Sequence, residues 1–262
     1  MSLFAWILLF SLLGGVLSVL AAALFLVLPE ALRQRSLPHL VSFAIGALLG
    51  AAFLGLLPHA LESPAVEDAH TLSATVLLGL LAFFLLEKMV LWRHCHTDHC
   101  EVHGAGEDAH AHMPAPAGHL VLLGDAFHNF IDGVLIAAAF LTDVHLGVVT
   151  ALAVAAHEIP QEVGDFAILL HSGFSRRKAF LFNVLSSMTT VLGALLAYFA
   201  LALVQAWLPY VLAIAASSFI YVAVADLIPT LHRRTELRAS AQQVLLILLG
   251  VLVIFLAHSS LH

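Results

Sequence analysis

Two stretches of an otherwise apolar chain hold side chains that can bind a divalent metal ion or carry protons. GDAFHNFIDG contains Asp125, His128, Asn129 and Asp132, and HEIPQEVGD contains His157, Glu158, Gln161, Glu162 and Asp165. In helical conformation His128 and Asp132, four residues apart, share one face, as do His157 with Gln161 and Glu158 with Glu162. No Lys or Arg lies within either stretch, so the carboxylates cannot form an ion-pair cluster; protonation or a bound metal must supply the positive charge. Mixed imidazole and carboxylate donors favour a borderline divalent ion such as Zn²⁺, Mn²⁺ or Fe²⁺ over soft copper(I) or an all-oxygen calcium cage. Pro160 fits a site of this kind, because a proline inside a helix frees a carbonyl one turn earlier and bends the helix. The plainer alternative is a set of hydrogen bonds that hold two helices together.

The elements that must position these residues are membrane helices. The chain has 262 residues, of which 61% are hydrophobic and 10% charged, with a mean hydropathy of +1.02. Such a composition cannot hide its apolar surface in one water-facing globule. A nucleic-acid partner is excluded, since there is no basic patch to neutralise phosphates. A span needs about 20 mainly apolar residues, and eight such stretches lie near 4–28, 40–61, 72–92, 119–141, 145–171, 179–204, 210–231 and 242–261. The first is too long and lacks the basic start of a secretory signal, so it reads as a retained span. All ten basic residues lie at or after the ends of odd-numbered spans: Arg33 and Arg35; Lys88 and Arg93; Arg176, Arg177 and Lys178; Arg233, Arg234 and Arg238. Basic residues near helix ends stay in the cytoplasm, so both termini are expected outside.

Depth then joins the two stretches. At 1.5 Å per residue, His128 lies ~14 Å and Asp132 ~20 Å above the inner end of span 4, while Glu162, Glu158 and His157 lie ~14, ~20 and ~21 Å up span 5. An ionisable group at such depth costs about 2.5–3.5 kcal/mol on insertion scales, which makes each a functional candidate. Asp125 and Asp165 form a lower pair, both ~9 Å up. His59, after Pro58 near the outer end of span 2, and Asp226, near Pro229 on span 7, are further candidates for an ion pathway. Asn183, Ser186 and Ser187 read as small polar packing positions, and His171, His232, His258 and His262 fall near helix ends with no special role. The segment 93–118 reads as a flexible His-rich cytoplasmic loop, rich in Gly, Ala and Pro. Its His94, Cys95, His96, His99, Cys100 and His103 suit weak, exchangeable metal binding, although their spacing matches no closed Cys/His finger.

HNFIDG followed by HEIPQEVGDFAILL resembles the ZIP (zinc- and iron-regulated transporter-like) family, in particular the branch with H-E-x-P-H-E on the fifth helix. The resemblance implies an all-α integral membrane protein of eight transmembrane helices with the metal site between the fourth and fifth, and one transporter domain over 1–262. It implies divalent metal uptake into the cytosol, zinc first and cadmium, iron or manganese as further substrates. It also implies a site that is often binuclear, and a transport domain that slides against a scaffold. By position His128, Asn129 and Asp132 answer to the ligands of the fourth helix, and His157 and Glu158 to the first two of the fifth. The sequence departs at Gln161, a neutral amide where that branch has its second histidine, and an amide oxygen is the weaker ligand. An intramembrane metal-dependent hydrolase of the H-E-x-x-H kind is the competing class, but Gln161 stands in the fifth position and Pro160 interrupts the turn, so no enzyme is expected. A metal sensor without transport is a third. The expected setting is the bacterial inner (plasma) membrane, with the bilayer and metal ions as partners and a homodimer left open.

Overall fold

The computed structural model describes residues 2–94, 115–201, 203, 205–232 and 236–259. The ligand candidates Cys95, His96, His99, Cys100 and His103 lie outside them, and of His94 only the backbone is described. Among the described residues every regular element is a helix. The long helices are α1 (Leu3–Gly14) and α2 (Val16–Val27), α3 (Glu30–Gly50) with the short α4 (Leu57–Glu62), and α5 (Ala69–His94). They continue with α6 (Ala115–Thr142), α7 (Val144–His171), α8 (Arg176–Leu201), α9 (Leu208–Tyr221) with the short α10 (Ile228–Leu231), and α11 (Leu237–Ser259). Among the described residues seven stretches are long and apolar enough to cross a membrane, and α7, at 28 residues, is as long but carries the acidic stripe. The protein is thus an all-helical integral membrane protein.

Three features shape these helices. Gly15 (φ −88°, ψ −88°) separates α1 from α2 where a Cβ would come 2.6 Å from the Ser187 carbonyl, so the break lets the first span lie close on α8. The second span starts earlier than expected, at Glu30, because the helix runs on through Pro38. Two spans also widen into a π-helical turn, Ala51–Leu56 before Pro58 and Val222–Leu227 before Pro229. A proline lacks the N–H that would close the preceding turn, and a wider turn re-seats the freed carbonyls.

The helices sort into two bundles. One contains α1, α2, α6, α7 and α8; the other contains α3 with α4, α5, α9 with α10, and α11. In each, a reciprocal pair of glycines brings two backbones into contact. A Cβ on Gly133 of α6 would lie 1.9 Å from the Thr190 carbonyl of α8, and one on Gly193 of α8 would lie 2.1 Å from that of Phe130. Likewise a Cβ on Gly46 of α3 would lie 2.0 Å from the Ile247 carbonyl of α11, and one on Gly250 would lie 2.3 Å from that of Phe43. Small residues at such crossings are how membrane helices associate where apolar surface gains nothing by leaving lipid.

Candidate metal centre

α6 and α7 are antiparallel neighbours, and they bring His128, Asp132, His157 and Glu158 together with one ligand atom of each within 4.8 Å of the others. His157 Nε2 is 3.2 Å from Asp132 Oδ2 and 3.5 Å from Glu158 Oε1; His128 Nε2 is 3.7 Å and 3.4 Å from the same two atoms. The two Nε2 atoms are 3.2 Å apart. His157 Nδ1 lies 3.1 Å from the Ala153 carbonyl, which fixes Nδ1 as the protonated nitrogen and leaves Nε2 basic.

Burial decides what this group can do. Asp132, His157 and Glu158 are buried, and both oxygens of Asp132 and of Glu158 lack a hydrogen-bond donor among the described residues. A buried carboxylate without a donor is costly, and facing two imidazoles it is offset most simply by a cation held between them. His128 is the open edge of the group, with 22% of its side chain exposed. It lines a cavity of about 650 Å³ together with Asp125, Gln161, Asp165 and Asp226. The cavity runs toward the end of the molecule where Pro38, Glu87 and Leu231 lie. In the opposite direction the interior is filled by the buried Phe140, Leu146 and Leu212.

A second group, Asp125, Glu158 and Glu162, also has its ligand atoms within 4.8 Å and shares Glu158 with the first. Here α8 contributes donors: Ser186 Oγ donates to Asp125 Oδ2 at 2.5 Å and Ser187 Oγ to Glu162 Oε1 at 2.8 Å. Of the lower pair, both Asp125 and Asp165 line the cavity, Asp125 buried and within the second group and Asp165 half-buried. Asn129 Nδ2 donates to Asp125 Oδ1 at 2.9 Å and its Oδ1 accepts from Thr190 Oγ1 at 2.8 Å, so the amide ties Asp125 to α8. Gln161 lies half-buried on the cavity wall beside Pro160, Asp226 is exposed on the same wall, and His59 is remote from both groups at the far end of the second span.

Some contributors were not legible in the sequence. Ser186 and Ser187 read as packing positions and Thr190 carries no signal in the sequence; only the docking of α8 turns their hydroxyls onto the carboxylates and Asn129. Glu87 and Tyr221, which form a hydrogen bond across the cavity mouth, sit in spans whose apolar runs gave them no prominence.

The model of the family described as ZIP zinc transporter matches residues 92–258, more than half of the chain. The chain belongs to the ZIP zinc transporter family. It is similar to "Zinc transporter ZIP13" of Pongo abelii, 35% identical over 236 residues, covering 84% of this chain and 66% of the relative. The mouse protein of the same name is 35% identical over 254 residues, with 84% and 69% covered. "Zinc transporter zipt-7.2" of Caenorhabditis elegans is 30% identical over 268 residues, with 83% and 57% covered. The chain spans about two thirds of the length of the ZIP13 relatives. Members of the family are transporters, not enzymes, which removes the hydrolase reading of HEIPQ.

Proposed function

We propose that this ZIP chain carries divalent transition-metal ions, zinc first and cadmium, iron or manganese as further cargo, through the membrane into the cytoplasm. In this reading both termini are outside, and in a bacterial inner membrane the flux is uptake. His128, Asp132, His157 and Glu158 are the ligands. One observation carries most weight: two buried carboxylates without donors among the described residues face two imidazoles, at the edge of a cavity that leads toward the end of the molecule where Pro38, Glu87 and Leu231 lie. Such a centre holds a dication while its charge is offset, and releases it where His128 and Gln161 meet the cavity. The relatives named zinc transporters support zinc as the main cargo.

Asp125, Glu158 and Glu162 form a weaker oxygen-only station that suits harder ions. With a neutral amide at Gln161, one ion binds tightly and the second position is weak; Gln161→His is expected to raise zinc or cadmium occupancy there. The two bundles move against each other to carry the ion past the filled interior. The loop 93–118 binds metal weakly and is dispensable, so deleting residues 94–112 leaves liposome flux largely intact.

The test is uptake into proteoliposomes with Zn²⁺, Cd²⁺, Mn²⁺ and Fe²⁺ in competition. His157→Ala and Asp132→Ala should each abolish uptake while the protein still elutes as a folded species in detergent. Wild-type flux in both variants removes the assignment, and binding without flux in the unaltered chain makes it a sensor. A cysteine placed at Ser63 should react with an impermeant thiol reagent from outside, and inaccessibility there reverses the orientation.

A further inference from the structure

The end of the molecule away from the cavity gathers a different set of metal-binding side chains. His59 stands one turn beyond Gly55, and Gly55 packs directly on α7: a Cβ there would be 3.2 Å from Leu146 Cδ1. Asp143 caps α7 three residues before Leu146 and His145 directly precedes Leu146, so both lie at the end of α7 nearest His59. From the other side α11 brings His258, whose ring centroid is 5.3 Å from that of His59 at an interplanar angle of 76°. Asp143 Oδ1 lies 3.7 Å from His145 Nδ1 while it accepts the backbone N–H groups of His145 (2.8 Å) and Leu146 (3.0 Å) as the cap of α7. Partial burial raises the Asp143 carboxyl, but these two N–H groups and the imidazoles of His145 and His59 outweigh it and hold it below the usual range, so it stays an anion. His59 Nδ1 is 3.0 Å from the Gly55 carbonyl, which makes Nδ1 the protonated nitrogen and Nε2 the basic one.

We propose that His59, Asp143, His145 and His258 form a second cation site, apart from the intramembrane centre, that captures a borderline divalent ion before it enters the membrane. Three imidazoles and one carboxylate are the donor set that zinc and cadmium prefer, and no Lys or Arg occurs in the loops at this end to repel a dication. The π-helical turn Ala51–Leu56 and Pro58 aim His59 at this cluster. The counterpart turn, Val222–Leu227, and Pro229 shape the cavity wall at Asp226 and Leu227. The two proline-widened spans thus mark the two ends of one route. The set is looser than the intramembrane group, and Asp143 and His145 are each 34% exposed, which leaves their side chains free to change rotamer around an ion. His59 and His258 belong to one bundle and the α6–α7 turn to the other, so a captured ion bridges the two. The role in entry rests on the transport reading above; the binding itself does not.

The experiment separates those two claims. Full chain lacking residues 94–112 and carrying Asp132→Ala with His157→Ala is titrated with Cd²⁺ in detergent, by calorimetry and ¹¹³Cd NMR. One cadmium per chain with a nitrogen-rich chemical shift is expected, and it should vanish when His59→Gln and His258→Gln are added. If those core substitutions prevent folding, the same difference is read as a loss of one bound cadmium per chain with the core intact. No binding at millimolar Cd²⁺, or binding unchanged by His59→Gln and His258→Gln, overturns the site. In proteoliposomes the His59→Gln, His258→Gln pair on an intact core should raise the KM for zinc several-fold with Vmax retained, and an unchanged KM overturns the capture role. Absence of flux from the unaltered chain, with the cadmium site still present, is instead the failure of the transport reading.

Discussion

Gly133 and Gly193 let α6 and α8 meet backbone to backbone, and Gly46 and Gly250 do the same for α3 and α11, yet the interiors beside these crossings are filled with opposite chemistry. In the first bundle the buried residues include Asp125, Asn129, Asp132, His157, Glu158, Glu162, Asn183, Ser186, Ser187 and Thr190. In the second they include Val41, Ala44, Ile45, Leu48, Ala216, Phe219 and Ile254, with Ser42, Ser217 and Ser218 as small polar exceptions. Ser42 donates to the Pro38 carbonyl of its own helix and Ser217 to the carbonyls of Ala213 and of Val76 on α5, all backbone acceptors, whereas Ser186 and Ser187 reach across to carboxylates. The contrast teaches that close packing, common to both bundles, holds the protein together. The unbalanced polar residues of one bundle add little to that stability and reserve a place for a cation.

The largest expected effect breaks what the bundles share. Gly133→Val and Gly46→Val each put a side chain where a backbone carbonyl lies about 2 Å away. Each should cost more than the roughly 1–3 kcal/mol of ordinary overpacking. Both should lower the yield of monodisperse protein and the melting temperature in detergent, and an unaltered melt in either would mean that its two helices are not in contact.

Next come substitutions that should separate the bundles. Leu48→Ala, at a fully buried position of α3, is expected to lower stability by about 2–5 kcal/mol with metal affinity unchanged. Glu158→Gln should do the reverse: it replaces a buried acid that has no hydrogen-bond partner among the described residues by a neutral isostere, so the apo protein melts no lower, while zinc binding falls by more than about tenfold. Calorimetry and thermal melts on the two variants measure this crossing of effects, and parallel losses in both properties would erase the distinction drawn here.

Smaller effects grade the polar bundle internally. Thr190→Val removes the donor to Asn129 and should destabilise by about 1 kcal/mol, with a modest loss of metal affinity through Asp125. Asn183, buried with neither side-chain atom hydrogen-bonded among the described residues, should tolerate Leu with no loss of melting temperature. A clear loss there would mean that the amide holds a partner such as water or the transported ion.

Much of this protein follows from the chain alone, for reasons of solvent. In a bilayer each span must satisfy its own backbone, so about 20 apolar residues already specify a helix, and any ionisable residue inside one stands out against them. Hence the helices, the pairing of the His128 and His157 motifs by depth, and the family could be read from the sequence. The neighbours across the bundle could not. Asn129 has ligand chemistry and a family precedent, but it turns to Asp125 and Thr190 because α8 presents a hydroxyl at that height. Asp125 and Asp165 stand at equal depth and both line the cavity, yet only Asp125 joins Glu158 and Glu162, because depth along a helix does not fix which face meets which neighbour. His258 looked like an ordinary helix end, and it lies against His59 only because Gly46 and Gly250 bring α11 onto α3. Local solvent preference wrote the helices and their polar residues into the sequence; the azimuth and close approach of helices distant along the chain decided which polar groups meet, and that is a property of the packed bundle alone.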